Sequence, residues 1–476
     1  MPKQWILLFF VLVSAAGSAQ IIYAIKDVTI VDVERGTLLK KKSVLVQGNK
    51  ILSIGNGNNI PINAVLLNGN GKYLLPGLWD MHTHTLRKAR LSNFFPLFVA
   101  NGVTGIRDMA SDMPLPEIRQ LQKDIDAGTV LGPRLGCYTG RIFDGPPQPD
   151  TLLFTYPADT TAARKKVQSH AAQGASFIKV YNMLSPDIYF AIADECKKNN
   201  IPFEGHVPFA LTASTASRSG QRSIEHLSDL LISVSADEDV IRKQLAGATP
   251  MNAIQSSKKR MEVNFDAAKN YSPAKATALF TLFARNETWQ CPTLINLQIT
   301  STRGYIPLLM SDARIKYFSK ALQENWKRSL GSRLTGDSLQ RALFFRQSLR
   351  LVLEMKKAGV PLLAGTDLSS SFQMPGFSLH DELALMVEAG LSPPEALQTA
   401  TINPARFLHL EHALGSIATG KLADLLLLDA NPLEDITNVK KIAAVFVNGR
   451  LLQRGDLDAL LQQVATEVQQ MNAAQP

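Results

Sequence analysis

The chain has 476 residues, 45% hydrophobic and 19% charged, a balance that excludes a disordered protein and leaves room for one large domain beside a smaller one. Its formal charge of +9 is dispersed. The clusters Lys40-Lys41-Lys42 and Lys258-Lys259-Arg260 lack the aromatic interleaving of a nucleic-acid site and read as solvated faces, so no nucleic-acid partner is expected.

At the start, Lys3, an apolar run over 5–13 and small residues over 14–19 describe a signal peptide over 1–19, with cleavage after Ala19. That run is too short for the roughly 20 residues of a spanning helix. The mature protein is therefore expected to be secreted or periplasmic, with no membrane anchor after cleavage.

Residues 20–75 contain β-like runs at 28–33, 43–46 and 50–54, separated by Gly and Asn turns. Runs at 423–429 and 444–450 have the same character, so 20–75 and 411–455 are expected to build one small β-sandwich domain, followed by a C-terminal helix or tail over 456–476. Between them, 76–410 alternates short apolar runs with helix-period segments, the pattern of parallel strands joined by crossover helices. Eight strands are expected, at 79–84, 103–108, 134–138, 177–181, 203–206, 223–226, 289–294 and 361–367. Helices are expected at 161–174, 186–199 and 381–389. The fold class is thus α/β, a TIM (β/α)8 barrel, whose site belongs at the carboxyl ends of the strands. Two long intervals, 228–271 and 296–347, predict helical insertions above the barrel.

Of the eight histidines, four fall at proposed strand ends: His82, His84, His206 and His226. Residues two apart on a strand share a face, so His82 and His84 can both reach the barrel mouth and chelate one ion. Asp367 ends the last strand, where a carboxylate can bind a cation and shuttle a proton; a helix N-cap is the alternative. Lys179 lies inside the apolar run 176–181, where a charged ammonium needs a reason. Carboxylation by carbon dioxide would turn it into a carbamate able to bridge two metals; the alternative is a lysine paired with an acid. The three cysteines, Cys137, Cys196 and Cys291, are too far apart for a metal knuckle or a disulfide framework and read as buried thiols.

These motifs in this order, 75–84, 177–181, 205–207, 224–226 and 364–367, with the closing segments 400–405 and 415–424, resemble the amidohydrolase superfamily. The similarity is to the branch of imidazolonepropionase-related amidohydrolases, metal-dependent Xaa-Pro dipeptidases and ochratoxinase. It implies two divalent ions, for which zinc suits the donors. His82, His84 and Asp367 would hold one, His206 and His226 the other, and carboxylated Lys179 would bridge them around a shared hydroxide. Asp367 would be the proton-transferring residue. The implied substrate is a small molecule or short peptide, with an Xaa-Pro-like dipeptide or an N-acyl amino acid favoured. Tyr138, Arg141, Tyr181 and His380 are candidates for binding it, and Asp108 for supporting a metal-bound histidine. His170, His409 and His412 read as non-catalytic, and at His409 related sequences often carry Gly.

A lactonase or esterase could use the same centre. A one-metal deaminase wants a Glu shortly after the fifth-strand histidine, where Val207-Pro208-Phe209 stands here. A non-catalytic scaffold would be expected to have lost ligands, and the set is complete. The oligomeric state stays open, a homo-oligomer included.

Overall fold

Strands from both chain ends share one sheet, in the order Arg450–Gln453, Ile442–Val447, Leu425–Leu428, Tyr73–Pro76, Ile22–Asp32, Thr37–Gln47, Lys50–Gly55, with Val65–Asn68 pairing separately with Ile22–Asp32. This is a computed structural model, and it describes residues 21–146, 152–246, 251, 253–301, 305–368 and 370–474. The expected signal peptide lies outside those residues. The two ends of the chain meet where Leu425–Leu428 runs antiparallel to Tyr73–Pro76, Leu425 opposite Pro76. Alternating side chains, among them Ile25, Val44, Val46, Leu74, Leu427 and Phe446, then bury one apolar layer. The helix Arg454–Ala474 follows this sheet and tucks Leu457, Val464 and Val468 inward.

Six parallel barrel strands stand within a residue of the expected positions, Leu78–Thr83, Val103–Asp108, Arg134–Tyr138, Ile178–Val180, Phe203–Gly205 and Ser223–Glu225, while the seventh, Trp289–Cys291, stops three residues before the expected 294, where the helix Leu294–Ser301 begins. They are buried on both faces, which is why they read as apolar runs rather than alternating ones. The eighth segment, expected at 361–367, is no regular strand. It closes the ring through bridges of Leu362 to Gln290 and Leu368 to Thr83, with Met81 donating to the carbonyl of Ala364 at 2.9 Å. Asp80 strengthens that seam by accepting from the Thr366 amide at 3.0 Å and hydroxyl at 2.7 Å. The third and fourth strands join through the Ser176 amide on the Tyr138 carbonyl at 2.8 Å.

Crossover helices occur where the periodicity places them. Thr160–Gln173 is capped by Asp159, whose side chain accepts from the Ala162 amide, and it ends at Gly174 in the left-handed region. Pro186–Lys198 starts on Ser185 with Pro186 in its first turn. The helix expected at 381–389 begins earlier, as Phe377–Glu388. Both long intervals carry helices, including Ala253–Ala267 and Leu294–Ser301, while Ser338–Lys357 runs on past the second.

Arg134 links the two layers, its guanidinium 2.5 Å from Asp424 of the sheet domain. Trp79, 2% exposed, fills the barrel interior. Trp79→Ala is expected to cost about 3–5 kcal/mol, read as a lowered urea midpoint at unchanged m-value; a shift below about 1 kcal/mol would place the indole outside the packed core.

Candidate metal centre

At the carboxyl ends of the strands, three imidazoles surround one carboxylate, and the fourth, His206, packs against His226. Asp367 Oδ1 lies 3.4 Å from His82 Nε2, 3.4 Å from His84 Nε2 and 3.9 Å from His226 Nε2. The rings of His206 and His226 are 4.9 Å apart. Lys179 Nζ sits 3.3 Å from His82 Nε2 and is 1% exposed. Among the described residues it forms no ion pair, so the expected alternative of a lysine paired with an acid is not what the structure shows.

Local backbone aims these groups. His226 and Asp367 adopt φ of 60° and 58°, the left-handed region that a non-glycine residue enters at a cost. Gly205, φ 128°, has no Cβ to strike the Val180 carbonyl, so the fifth strand can close on the fourth and deliver His206. A Cβ on Gly365 would come within 2.9 Å of the His82 amide, so glycine there lets the eighth segment pass His82.

Three of the imidazoles are held from behind. His82 Nδ1 meets Glu225 Oε2 at 2.6 Å, His206 Nδ1 meets Asn182 Oδ1 at 2.8 Å, and His226 Nδ1 meets Thr293 Oγ1 at 2.7 Å. Glu225 and Asn182 can only accept there, which leaves Nε2 of His82 and His206 as the free lone pair, and Thr293 Oγ1 can accept from His226 to the same effect. His84 Nδ1 is buried without a partner. Glu225 is itself fixed by Arg107, which also pairs with Glu204 at 2.7 Å and donates to the Met81 carbonyl at 2.5 Å. Burial opposes the Arg107 charge, and the two glutamates outweigh it.

Burial lowers the pKa of all four imidazoles, and the Lys179 ammonium lowers each further, taking His84 to about 4. Burial also works against charge on Asp367, yet the facing imidazoles hold it well below the usual carboxylate range. Burial brings the Lys179 ammonium down to about 8. Neutral imidazoles with converging lone pairs, one anionic carboxylate and a readily deprotonated amine fit divalent cations. His82, His84 and Asp367 have donor atoms within 4.8 Å of one another. Cys291 also approaches His82 and Glu225, but burial pushes its thiol well up, and Glu225 is already committed to His82 and Arg107. All three cysteines are buried and unbridged.

A cavity of about 430 Å³ opens over the centre. Among the expected substrate contacts, Tyr181 lines it, its ring 4.2 Å from that of His206. The other three are corrections. The Tyr138 hydroxyl bonds Gln122 on the outer helix at 3.4 Å, Arg141 is exposed outside the cavity, and His380 Nε2 is spent on the Asn101 carbonyl at 2.8 Å. Asp108 likewise touches no imidazole and accepts from the Thr85 and Leu86 amides at 2.6 and 3.0 Å. His170, His409 and His412 lie off the cavity as expected. His409 has φ 57°, which explains why glycine suits that turn.

Residues that sequence reading missed come chiefly from the insertions. Arg260, read as part of a solvated cluster, lines the cavity and donates to Asn182 Oδ1 at 2.6 Å, Ser228 Oγ at 2.7 Å and the Val207 carbonyl at 2.9 Å. Asn296 donates to Asp367 Oδ2 at 2.7 Å, as does Ser370 Oγ at 2.7 Å. A usable signal did exist for the supporting layer. Arg107, Glu204 and Glu225 are charges inside apolar strands, the same anomaly that singled out Lys179.

Glu225→Gln should weaken metal binding about 10- to 100-fold. It breaks the charge link from Arg107 to His82, and titration of the metal-free protein against a chelator-buffered ion would measure it; unchanged affinity would reduce Glu225 to packing.

The model of the "Amidohydrolase family" matches residues 73–452. Bottromycin amidohydrolase is similar in structure, TM-score 0.73 at 21% identity, over 94% of this chain and 90% of that one. A prolidase complexed with N-methylphosphonate-L-proline superposes with TM-score 0.66 at 20% identity, over 91% of this chain and 100% of that one. At such identities these likenesses establish the fold, the barrel with its β-sandwich. A shorter sequence match reaches the adenine deaminase of Desulforamulus reducens, 42% identical over 79 residues, 17% of this chain and 12% of that protein.

Proposed function

This chain belongs to the amidohydrolase family and is a metal-dependent hydrolase, and from that premise we propose that it is an exported enzyme cleaving the amide bond of an Xaa-Pro-like dipeptide or an N-acyl amino acid. The observation that carries the reading is the imidazole cluster of His82, His84 and His226, with Nε2 atoms 3.4, 3.4 and 3.9 Å from Asp367 Oδ1, with His206 packed on His226 and Lys179 beside His82.

His82, His84 and Asp367 would hold one divalent ion, His206 and His226 the second, and Lys179, carboxylated, would join them. Zinc suits this mixture of imidazole and oxygen donors. When bound, such ions supply Lewis acidity toward a carbonyl oxygen and acidify water. Lys179 is suited to carboxylation, because burial favours its neutral amine and no acid pairs with it.

Asp367 carries the proton. Its Oδ2 is fixed by Asn296 and Ser370, which leaves Oδ1 turned to the centre to take a proton from water and return it to the leaving nitrogen. Tyr181 and Arg260 bound the cavity beside His206. Apolar Leu153, Phe154, Leu297 and Phe344 line it as well, so a substrate with an uncharged acyl part can be taken out of water.

The deaminase name of the sequence relative does not move this reading. Asp367 is the sole carboxylate among the described residues lining the cavity, and Val207-Pro208-Phe209 follows His206 where that chemistry wants a Glu. Xaa-Pro dipeptides, N-acyl amino acids and lactones offered to the zinc-loaded protein test the proposal. Hydrolysis of the first two classes with about two ions per chain supports it. Activity confined to lactones, or a protein that binds no metal, overturns it.

A further inference from the structure

Among the described residues, three side-chain cations line the cavity, Arg87, Lys179 and Arg260, against one carboxylate, Asp367. That carboxylate is already surrounded by imidazoles. Lys179 lies against His82. Arg260 spends NH1 and NH2 on Ser228, Asn182 and Val207, its plane packs on Phe209 at 4.5 Å, and its Nε is shut away.

Arg87 differs. Among the described residues its side chain makes no hydrogen bond and no ion pair, and its Nε is buried without an acceptor. Asp108 lies near enough to feel its charge, and its Oδ1 is buried without a partner while Oδ2 accepts from the Thr85 and Leu86 amides, but among the described residues the two form no ion pair. A guanidinium drawn partly out of water with no direct ion-pair partner is costly, and its planar fork matches a carboxylate. Its place is also set: Arg87 stands three residues after His84, on the turn that opens the helix Lys88–Ala100. It faces the same cavity as the metal-binding groups.

We propose that Arg87 receives the free carboxylate of the substrate, so that the enzyme takes amides bearing an anionic amino-acid half and discriminates against uncharged amides. This rests on the amide-hydrolase reading above. Of the residues singled out from the sequence, Arg141 is exposed outside the cavity, His380 is engaged elsewhere, and Tyr181, which lines the cavity, brings no positive charge to a carboxylate.

N-acetyl-L-leucine and N-acetyl-L-leucinamide, offered to the metal-loaded wild type, Arg87→Met and Arg87→Lys, test it. For the wild type, kcat/KM for the acid should exceed that for the carboxamide on the order of 100-fold. Arg87→Met should remove that preference and Arg87→Lys keep part of it, since charge survives while the fork is lost. Calorimetric titration of the metal-free protein with N-acetyl-L-leucine should show Kd raised about tenfold or more in Arg87→Met. Equal cleavage of acid and carboxamide by the wild type, or a preference that persists in Arg87→Met, overturns the anion site while sparing the hydrolase reading. Binding of the acid through Arg87 with no cleavage of either compound does the reverse.

Discussion

Asp367→Asn is expected to lower kcat/KM on the order of 10⁴-fold while the protein stays folded. Two effects combine in that number. The amide cannot accept and return the proton, and it is a poorer donor than a carboxylate to the cation that His82 and His84 are proposed to share. The neighbourhood makes the change worse, because Asn296 Nδ2 and Ser370 Oγ both donate to Asp367 Oδ2. An amide nitrogen placed there would face donors, so the new side chain must turn that nitrogen toward the imidazole lone pairs instead. Steady-state kinetics, metal analysis and a far-ultraviolet spectrum decide the matter together. A loss under tenfold would remove Asp367 from the proton path.

Lys179→Ala should abolish measurable turnover and reduce the metal bound per chain. The side chain is buried against His82, and its deletion leaves a polar cavity that small acids can enter. Acetate or propionate should therefore restore part of the activity by standing in for the proposed carbamate. Full activity in the variant would eliminate the bridging role. Loss of activity with no rescue and unchanged metal content would make Lys179 a structural residue.

Much of this molecule was legible before any coordinates. Seven of the expected barrel strands appear because parallel strands, buried on both faces, must be written as short apolar runs. The eighth, expected as a strand over 361–367, is no regular strand: it meets its neighbours through isolated bridges at Leu362 and Leu368 and single bonds such as that of Met81 to Ala364, and Asp367 leaves the extended region altogether. Four histidines and Asp367 were found because each ends such a run. Arg260 was missed for a physical reason. Lys258, Lys259 and Arg260 are adjacent in sequence but lie on one helix, where successive side chains point about 100° apart; Lys258 stays exposed and Arg260 turns into the cavity.

What the sequence by itself determined is the set of elements and the strand ends that carry imidazole and carboxylate, since apolar period and polar residues at strand ends are local properties of the chain. Only the tertiary structure decided which partners stand behind those groups and which residues wall the cavity. Glu225 behind His82, Asn182 behind His206 and Arg87 beside the centre are brought together by barrel closure, and Arg260 by the packing of an inserted helix. A side chain's partner across the barrel is set by register and helix rotation, which no local pattern records.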